Sequence, residues 1–351
     1  MRGVGRGELL LLAASLALVL GALAAAEAVL RWRGAATPSW AGPGDLARLH
    51  VYSERYGWEP RRDFATRVAG RPVSINARGY RGALHGARRP GAERVVVLGD
   101  SIAFGLEVGD AETFAALLER PREREVLNLA VQGWGTDQQA LRLEREGLAL
   151  RPDVVVLALC VANDFTDVAL DHFLYDRRHP KPYFLLRHGE LELHDAHLRL
   201  GTGARVARWL GERSRLFQRL AGWGVPEEPP GWHWQRTVEE QEPRSAQNVS
   251  IVSHLVRRMA EASRAADADF LLAAFPYRRS WDEGGTPELE SLAEILGRSG
   301  VPLLDLGVAF RERGQRFEDL TVDRLGHLAA AGHRATAEVL DAALEARSAR
   351  E

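Results

Sequence analysis

The first apolar stretch of the chain is continuous. Leu9 to Ala26 is an uncharged run of 18 residues preceded by Arg2 and Arg6, and Glu27 interrupts it before Ala28, Val29, Leu30 and the basic Arg31 and Arg33. A helix rising about 1.5 Å per residue over such a run crosses a hydrocarbon core of about 30 Å. Gly34 to about Asp45 is rich in Gly, Pro and Ala and reads as a linker. Residues 50–82 then alternate in short pieces that predict small strands and turns, with Tyr56, Trp58 and Tyr80 as packing anchors.

From residue 93 the period changes. Arg94–Leu98, Glu125–Leu129 and Asp153–Leu159 are short β-branched apolar runs that predict buried strands. Thr113–Glu119 and Thr136–Leu150 lie between them and carry helical spacing. After Asn163 the rhythm breaks. Pro182–Leu193 predicts a hairpin turning at His188-Gly189, Val206–Leu220 a basic amphipathic helix, and 222–245 an irregular surface loop. The alternation resumes with helix Val249–Ala265, strand Asp269–Phe275, helix Glu288–Arg298, strand Val301–Leu306 and a last helix near Ala331–Ala346. Strands alternating with helices predict an α/β fold, a parallel sheet covered on both faces. The organisation expected is a membrane segment over 1–33, a linker and small β-rich segment over 34–92, and an α/β domain over 93–346 with an insertion at about 171–245.

Composition changes this picture little. The net charge is -2, so bulk electrostatics give no case for nucleic acid. The single Cys160 excludes an intrachain disulfide framework and a cysteine-cluster metal site. His172, His179, His188, His194 and His197 lack compact ligand spacing, so a metal site among them is not expected. Two readings fit the N-terminus. One is a single-pass signal anchor with Arg31-Trp32-Arg33 at the interface; the other is a signal peptide cleaved near Ala22-Leu23-Ala24. The Lys/Arg count around the run does not fix its orientation.

The candidate chemistry lies where strands end. Gly99-Asp100-Ser101 closes the first strand, so the Ser101 hydroxyl would project into the crevice at the sheet's carboxyl edge. Its N–H would sit near a helix N-terminus, where a developing oxyanion is stabilised. Gly133 follows the second strand and could present an unhindered N–H; Asn163-Asp164 follows the third and offers an amide donor. His327 precedes the last helix in Asp323-Arg324-Leu325-Gly326-His327 and could act as base toward a serine. Each has a bland alternative: Ser101 as a helix cap, Gly133 and Asn163 as turn residues, His327 as a structural or solvated histidine.

In this order and context the four blocks resemble the SGNH hydrolase superfamily, the GDSL-type esterases and acyltransferases. Gly99-Asp100-Ser101, Gly133, Asn163-Asp164 and His327 match its nucleophile, glycine, Asn-Asp and histidine blocks, with Gly332-His333 downstream. Tyr56-Gly57-Trp58 and Ile75–Gly82 look like a membrane-anchored bacterial subgroup associated with exopolysaccharide or cell-envelope chemistry. The resemblance implies a flavodoxin-like three-layer α/β/α sandwich. It implies Ser101 as nucleophile, His327 as base, and an oxyanion hole from the Ser101 N–H, the Gly133 N–H and the Asn163 side chain. It implies no metal or organic cofactor. One departure stands out: the family's acid usually lies two or three residues before the histidine, whereas Asp323 lies four before His327. Either the loop accommodates an extra residue and Asp323 is the acid, or a backbone carbonyl orients the imidazole.

The expected function is that of a serine esterase or O-acyltransferase on an ester-bearing small molecule or polysaccharide, held outside the cytoplasm by the N-terminal helix. The alternative is a catalytically weak or inactive polysaccharide-binding module on the same fold. Trp223, Trp232 and Trp234 could stack on sugars or pin their loop.

Overall fold

The computed structural model describes residues 6–33, 49–119, 124–174, 176–220 and 246–348. The linker and the loop read at 222–245, with its three tryptophans, lie outside the described residues. The chain divides into two compact units, one formed by 1–48 and 200–232, the other by 49–199 and 233–351.

In the first unit, α1 (Arg6–Trp32) is one helix through the whole apolar run. It is long and apolar enough to cross a membrane, by length and composition. The amphipathic stretch expected as one helix is two, α2 (Thr202–Arg213) and α3 (Arg215–Leu220), with extended backbone at Ser214.

The second unit opens with two antiparallel hairpins. β1 (His50–Ser53) pairs with β2 (Gly57–Pro60), and β3 (Phe64–Val68) pairs with β4 (Arg71–Ile75). Then come β5 (Glu93–Gly99), β6 (Arg124–Asn128), β7 (Val154–Cys160), β8 (Asp269–Phe275) and β9 (Leu303–Asp305), which form one five-stranded parallel sheet in the order β9-β8-β7-β5-β6. β5, β6 and β7 are buried over nearly every residue, as their unbroken apolar runs require of a sheet covered on both faces. β9 is shorter than expected because Pro302 has no N–H to give to a ladder.

The chain steps from β5 outward to β6, then back across β5 to β7 and on to β8 and β9. Right-handed crossovers therefore place the helices on opposite faces. Phe114–Glu119 packs with the C-terminal helix Ala330–Ser348 on one face; Thr136–Arg142, Ala246–Ala265 and Pro287–Arg298 cover the other. The result is the flavodoxin-like α/β/α sandwich. The hairpin of the insertion turns at His188 and Gly189, both at positive φ, and pairs Arg187 with Glu190, as a two-residue turn matching the strand twist should. The helix expected over 136–150 is α-helical only to Arg142, then widens to a π-turn over Leu143–Gly147.

Residues 49–92 are held to the sheet by a buried cation. Arg142 is almost fully buried, with its guanidinium 5.7 Å from the Tyr56 ring, 5.2 Å from Tyr80 and 5.5 Å from Trp134. It pairs with Glu146 at 3.3 Å and donates to the Gly79 carbonyl at 3.2 Å. Trp58 Nε1 donates to the Gln132 carbonyl, and Trp134 Nε1 donates back to the Trp58 carbonyl. The aromatic anchors thus pack directly against the segment that follows β6.

Candidate active site

The direction of chain progression along the sheet reverses beside β5, and a crevice opens there at the carboxyl ends of the strands. Ser101 follows β5, with Gly133 beyond neighbouring β6 and Asn163 beyond β7 on the other side. Asp100 caps the four-residue helix Ser101–Phe104 by accepting from the Ile102 N–H at 3.0 Å. Capping therefore belongs to Asp100, which leaves the Ser101 hydroxyl available. Ser101 Oγ lies 2.8 Å from His327 Nε2 across 226 residues of sequence.

Behind the imidazole stands Asp323. Its Oδ2 lies 2.6 Å from His327 Nδ1, while its Oδ1 accepts from the N–H groups of Leu325 and His327 at 3.0 and 3.2 Å. The four-residue spacing closes because one carboxylate oxygen folds the loop and the other reaches the ring. Gly326 makes that loop possible: its φ is +91°, and a Cβ there would meet the Pro276 carbonyl oxygen at 2.3 Å.

The electrostatics follow from this. Burial by itself would lower the His327 pKa. The hydrogen bond to Asp323 and the negative charges of Glu107, Asp323 and Asp100 outweigh it and raise the pKa to about 9. Burial would raise the Asp323 carboxyl, but the imidazole and two backbone N–H groups hold it below its ordinary value. Asp100 is fully buried and pushed up by burial, against the opposing Ile102 N–H, the His327 charge and a hydrogen bond from Asn163.

Gly133 has a φ of +74°, and a Cβ would approach Phe173 Cε2 to 2.5 Å, so the glycine lies close under an aromatic edge from the insertion. The Asn163 amide donates to Asp167 Oδ2 at 2.6 Å. Burial pushes Asp167 up to about 7, opposed by Lys181 and by the Asn163 hydrogen bond. Asp164 is buried and joins the end of β7 to the helix at 136–142, accepting from the Cys160 N–H at 2.7 Å and the Thr136 hydroxyl at 3.1 Å. Lys181, from the insertion, is buried against Asp137. Sequence reasoning missed Asp167, Asp137 and Lys181. Asp167 carries a weak signal, four residues after Asn163 on one short helix. The Lys181–Asp137 pair is separated by 44 residues and carries no local signal.

His333, the downstream histidine of the sequence pattern, is a core residue. Its Nδ1 accepts from the Phe114 N–H at 3.1 Å, and burial with Arg81 nearby lowers its pKa to about 3. Among the described residues no three His, Cys, Asp or Glu side chains gather as a metal ion would require.

A five-stranded parallel sheet of this order, with a serine after its first strand in sequence and a histidine before its last helix, is the architecture of the SGNH hydrolases. The chain belongs to the GDSL-like lipase/acylhydrolase family, whose profile matches residues 97–335; it is a hydrolase of ester bonds. Solved structures that resemble it include a putative lipolytic protein of the G-D-S-L family from Desulfitobacterium hafniense, 12% identical, covering 71% of this chain and 97% of that one with a TM-score of 0.38. A catalytic mutant of an acetylxylan esterase from Geobacillus stearothermophilus is 14% identical, covering 72% and 94% with a TM-score of 0.40. A member of the lipolytic G-D-S-L family from Veillonella parvula is 10% identical, covering 71% and 96% with a TM-score of 0.41. Comparison with curated proteins gives no match.

Proposed function

We propose that the protein is a membrane-anchored serine esterase or O-acyltransferase acting on acyl esters of carbohydrate, with Ser101, His327 and Asp323 as its catalytic triad. One observation carries this reading: the continuous hydrogen-bonded chain from Ser101 Oγ through the His327 ring to Asp323. With its Nδ1 proton directed at Asp323, the imidazole presents a lone pair on Nε2 to the Ser101 hydroxyl. Ser101 Oγ attacks the ester carbonyl as its proton passes to Nε2. The carbonyl π electrons move to oxygen and form a tetrahedral oxyanion. The N–H groups of Ser101 and Gly133 and the Asn163 amide are the donors assigned to that oxyanion. Collapse expels the alcohol, which takes the Nε2 proton and leaves an acyl-serine. Water or a sugar hydroxyl then attacks with the same base, releasing acid or an acylated sugar.

The carbohydrate class rests on the resemblance of Tyr56–Trp58 and Ile75–Gly82 to the envelope-associated subgroup. The membrane placement rests on α1, and the assignment of the catalytic unit to the side outside the cytoplasm rests on the resemblance to the envelope-associated subgroup. A non-catalytic binding module would need an imidazole without an acid behind it, and the Asp323 contact supports the enzyme instead.

The test is labelling by a fluorophosphonate serine probe, with hydrolysis of short acyl esters, in the full chain and in Ser101→Ala. Labelling and turnover that depend on Ser101 are expected; absence of both in the unsubstituted chain would overturn the proposal. Acetate release from acetylated polysaccharide, with and without an acceptor glycan, distinguishes hydrolysis from transfer.

A further inference from the structure

The outer surface of α2 and α3 carries large apolar side chains in an otherwise basic stretch. Val206 and Trp209 are 53% and 54% exposed, and Leu220 is 76% exposed. Val206 and Trp209 stand three residues apart in one helix and share a face. Arg205, Arg208, Arg213, Arg215 and Arg219 occupy the same stretch with the single acid Glu212. The Arg213 guanidinium lies over the Trp209 ring at 5.2 Å. An indole, aliphatic side chains and arginines on short amphipathic helices suit the boundary between lipid headgroups and acyl chains.

The attachment of these helices sets a depth. Glu27, the first charged residue after the apolar run of α1, accepts from Ser214 Oγ at 3.0 Å and from the N–H groups of Arg215 and Leu216 at 3.1 and 2.9 Å. Arg31 pairs with Glu27 at 2.7 Å and donates to the Arg213 carbonyl at 2.8 Å. When the 18-residue run spans a hydrocarbon core, Glu27 falls at its edge, and so does the α2–α3 corner that it caps. The donors around Glu27 also meet the cost of placing a carboxylate there. Exposed surface and tether are independent features, and they agree on the same layer.

We propose that α2 and α3 form a second membrane contact. They dock on the last turns of the anchor and bind an anionic phospholipid surface, with Val206, Trp209 and Leu220 inserted among the headgroups and Arg205, Arg213 and Arg219 facing lipid phosphates. The proposal rests on the reading of α1 as a retained anchor and adds a lipid-binding surface to it.

The test uses the full chain with Cys160→Ala and a single new cysteine, Trp209→Cys or Val206→Cys, labelled with a nitrobenzoxadiazole fluorophore. The labelled chain is reconstituted into vesicles of phosphatidylcholine, with and without phosphatidylglycerol. Arg298→Cys, at an exposed position of the other unit, is the aqueous control; the Arg298 side chain is 74% exposed. A blue-shifted emission is expected at 209 and 206, with protection from iodide, stronger quenching by headgroup-proximal than by deep doxyl lipids, and a larger shift with phosphatidylglycerol. Glu27→Ala should reverse the shift and restore iodide quenching. Iodide access equal to that of the control at both positions overturns the proposal. Equal shifts in the two vesicle types overturn the anionic preference. Alkaline carbonate extraction and intact mass separate this from failure of the anchor. A chain that is extracted, or lacks its first residues, refutes the anchor and the proposal together; a retained, intact chain with an accessible 209 refutes the lipid contact alone.

Discussion

Replacing Asp323 by Asn changes little in shape and much in chemistry. Asn retains a carbonyl oxygen for the Leu325 and His327 N–H groups that Oδ1 now serves, so the loop keeps its fold. Its NH2 then faces His327 Nδ1, where Oδ2 lay at 2.6 Å. A donor facing Nδ1 forces the ring proton to Nε2, the atom 2.8 Å from Ser101 Oγ, and the base becomes a donor. The same inversion in serine proteases lowers kcat by about 10⁴. At 1.36 kcal/mol per tenfold, that is about 5.4 kcal/mol of lost transition-state stabilisation. The assay is hydrolysis of p-nitrophenyl acetate by full-length protein in detergent, alongside the rate of fluorophosphonate labelling. The pH profile gives a second readout. Asp323 helps hold the imidazole near 9, above the ordinary 6.5, so activity in the unsubstituted protein should climb through the alkaline range as the base becomes neutral. The residual activity of Asp323→Asn should climb at lower pH. A variant within tenfold of the unsubstituted protein, with an unmoved profile, would refute the triad geometry.

Gly326→Ala places a Cβ against the Pro276 carbonyl and should displace His327 by enough to cost about 100-fold in kcat, measured on the same ester. Asn163→Ala should lower kcat by about 10²–10³ through loss of the proposed oxyanion donor, with KM little changed. Lys181→Met leaves Asp137 buried without its cation and should destabilise the unit by about 3–5 kcal/mol, read as a lower midpoint in urea unfolding. His327 contributes to stability in a defined window. Its folded pKa is raised, so the contribution is complete below 6.5 and lost as pH rises to about 9; urea midpoints should fall across that range, and less so in Asp323→Asn.

The parallel sheet was legible because its signal is local. Runs such as Val95-Val96-Val97 and Val154-Val155-Val156 need only an apolar environment on both faces to be strands, and α1 needs only its length and lack of charge. Ser101, Gly133, Asn163 and His327 could be picked out because each stands where a strand ends or a helix begins, and such positions gather at one edge of a parallel sheet. Contacts made across the fold left no such trace. Whether Asp323 reaches the imidazole depends on the positive φ of Gly326 and its packing on the Pro276 backbone, neither of which spacing encodes. The Lys181–Asp137 pair, the aromatic box around Arg142 and the Glu27 cap join residues far apart in sequence. Sequence alone determined which segments fold and which edge of the sheet gathers Ser101, Gly133, Asn163 and His327, since backbone propensity and burial act over neighbouring residues. Tertiary structure decided which charged groups meet there, since a buried charge is stable only beside a partner that the whole fold must deliver.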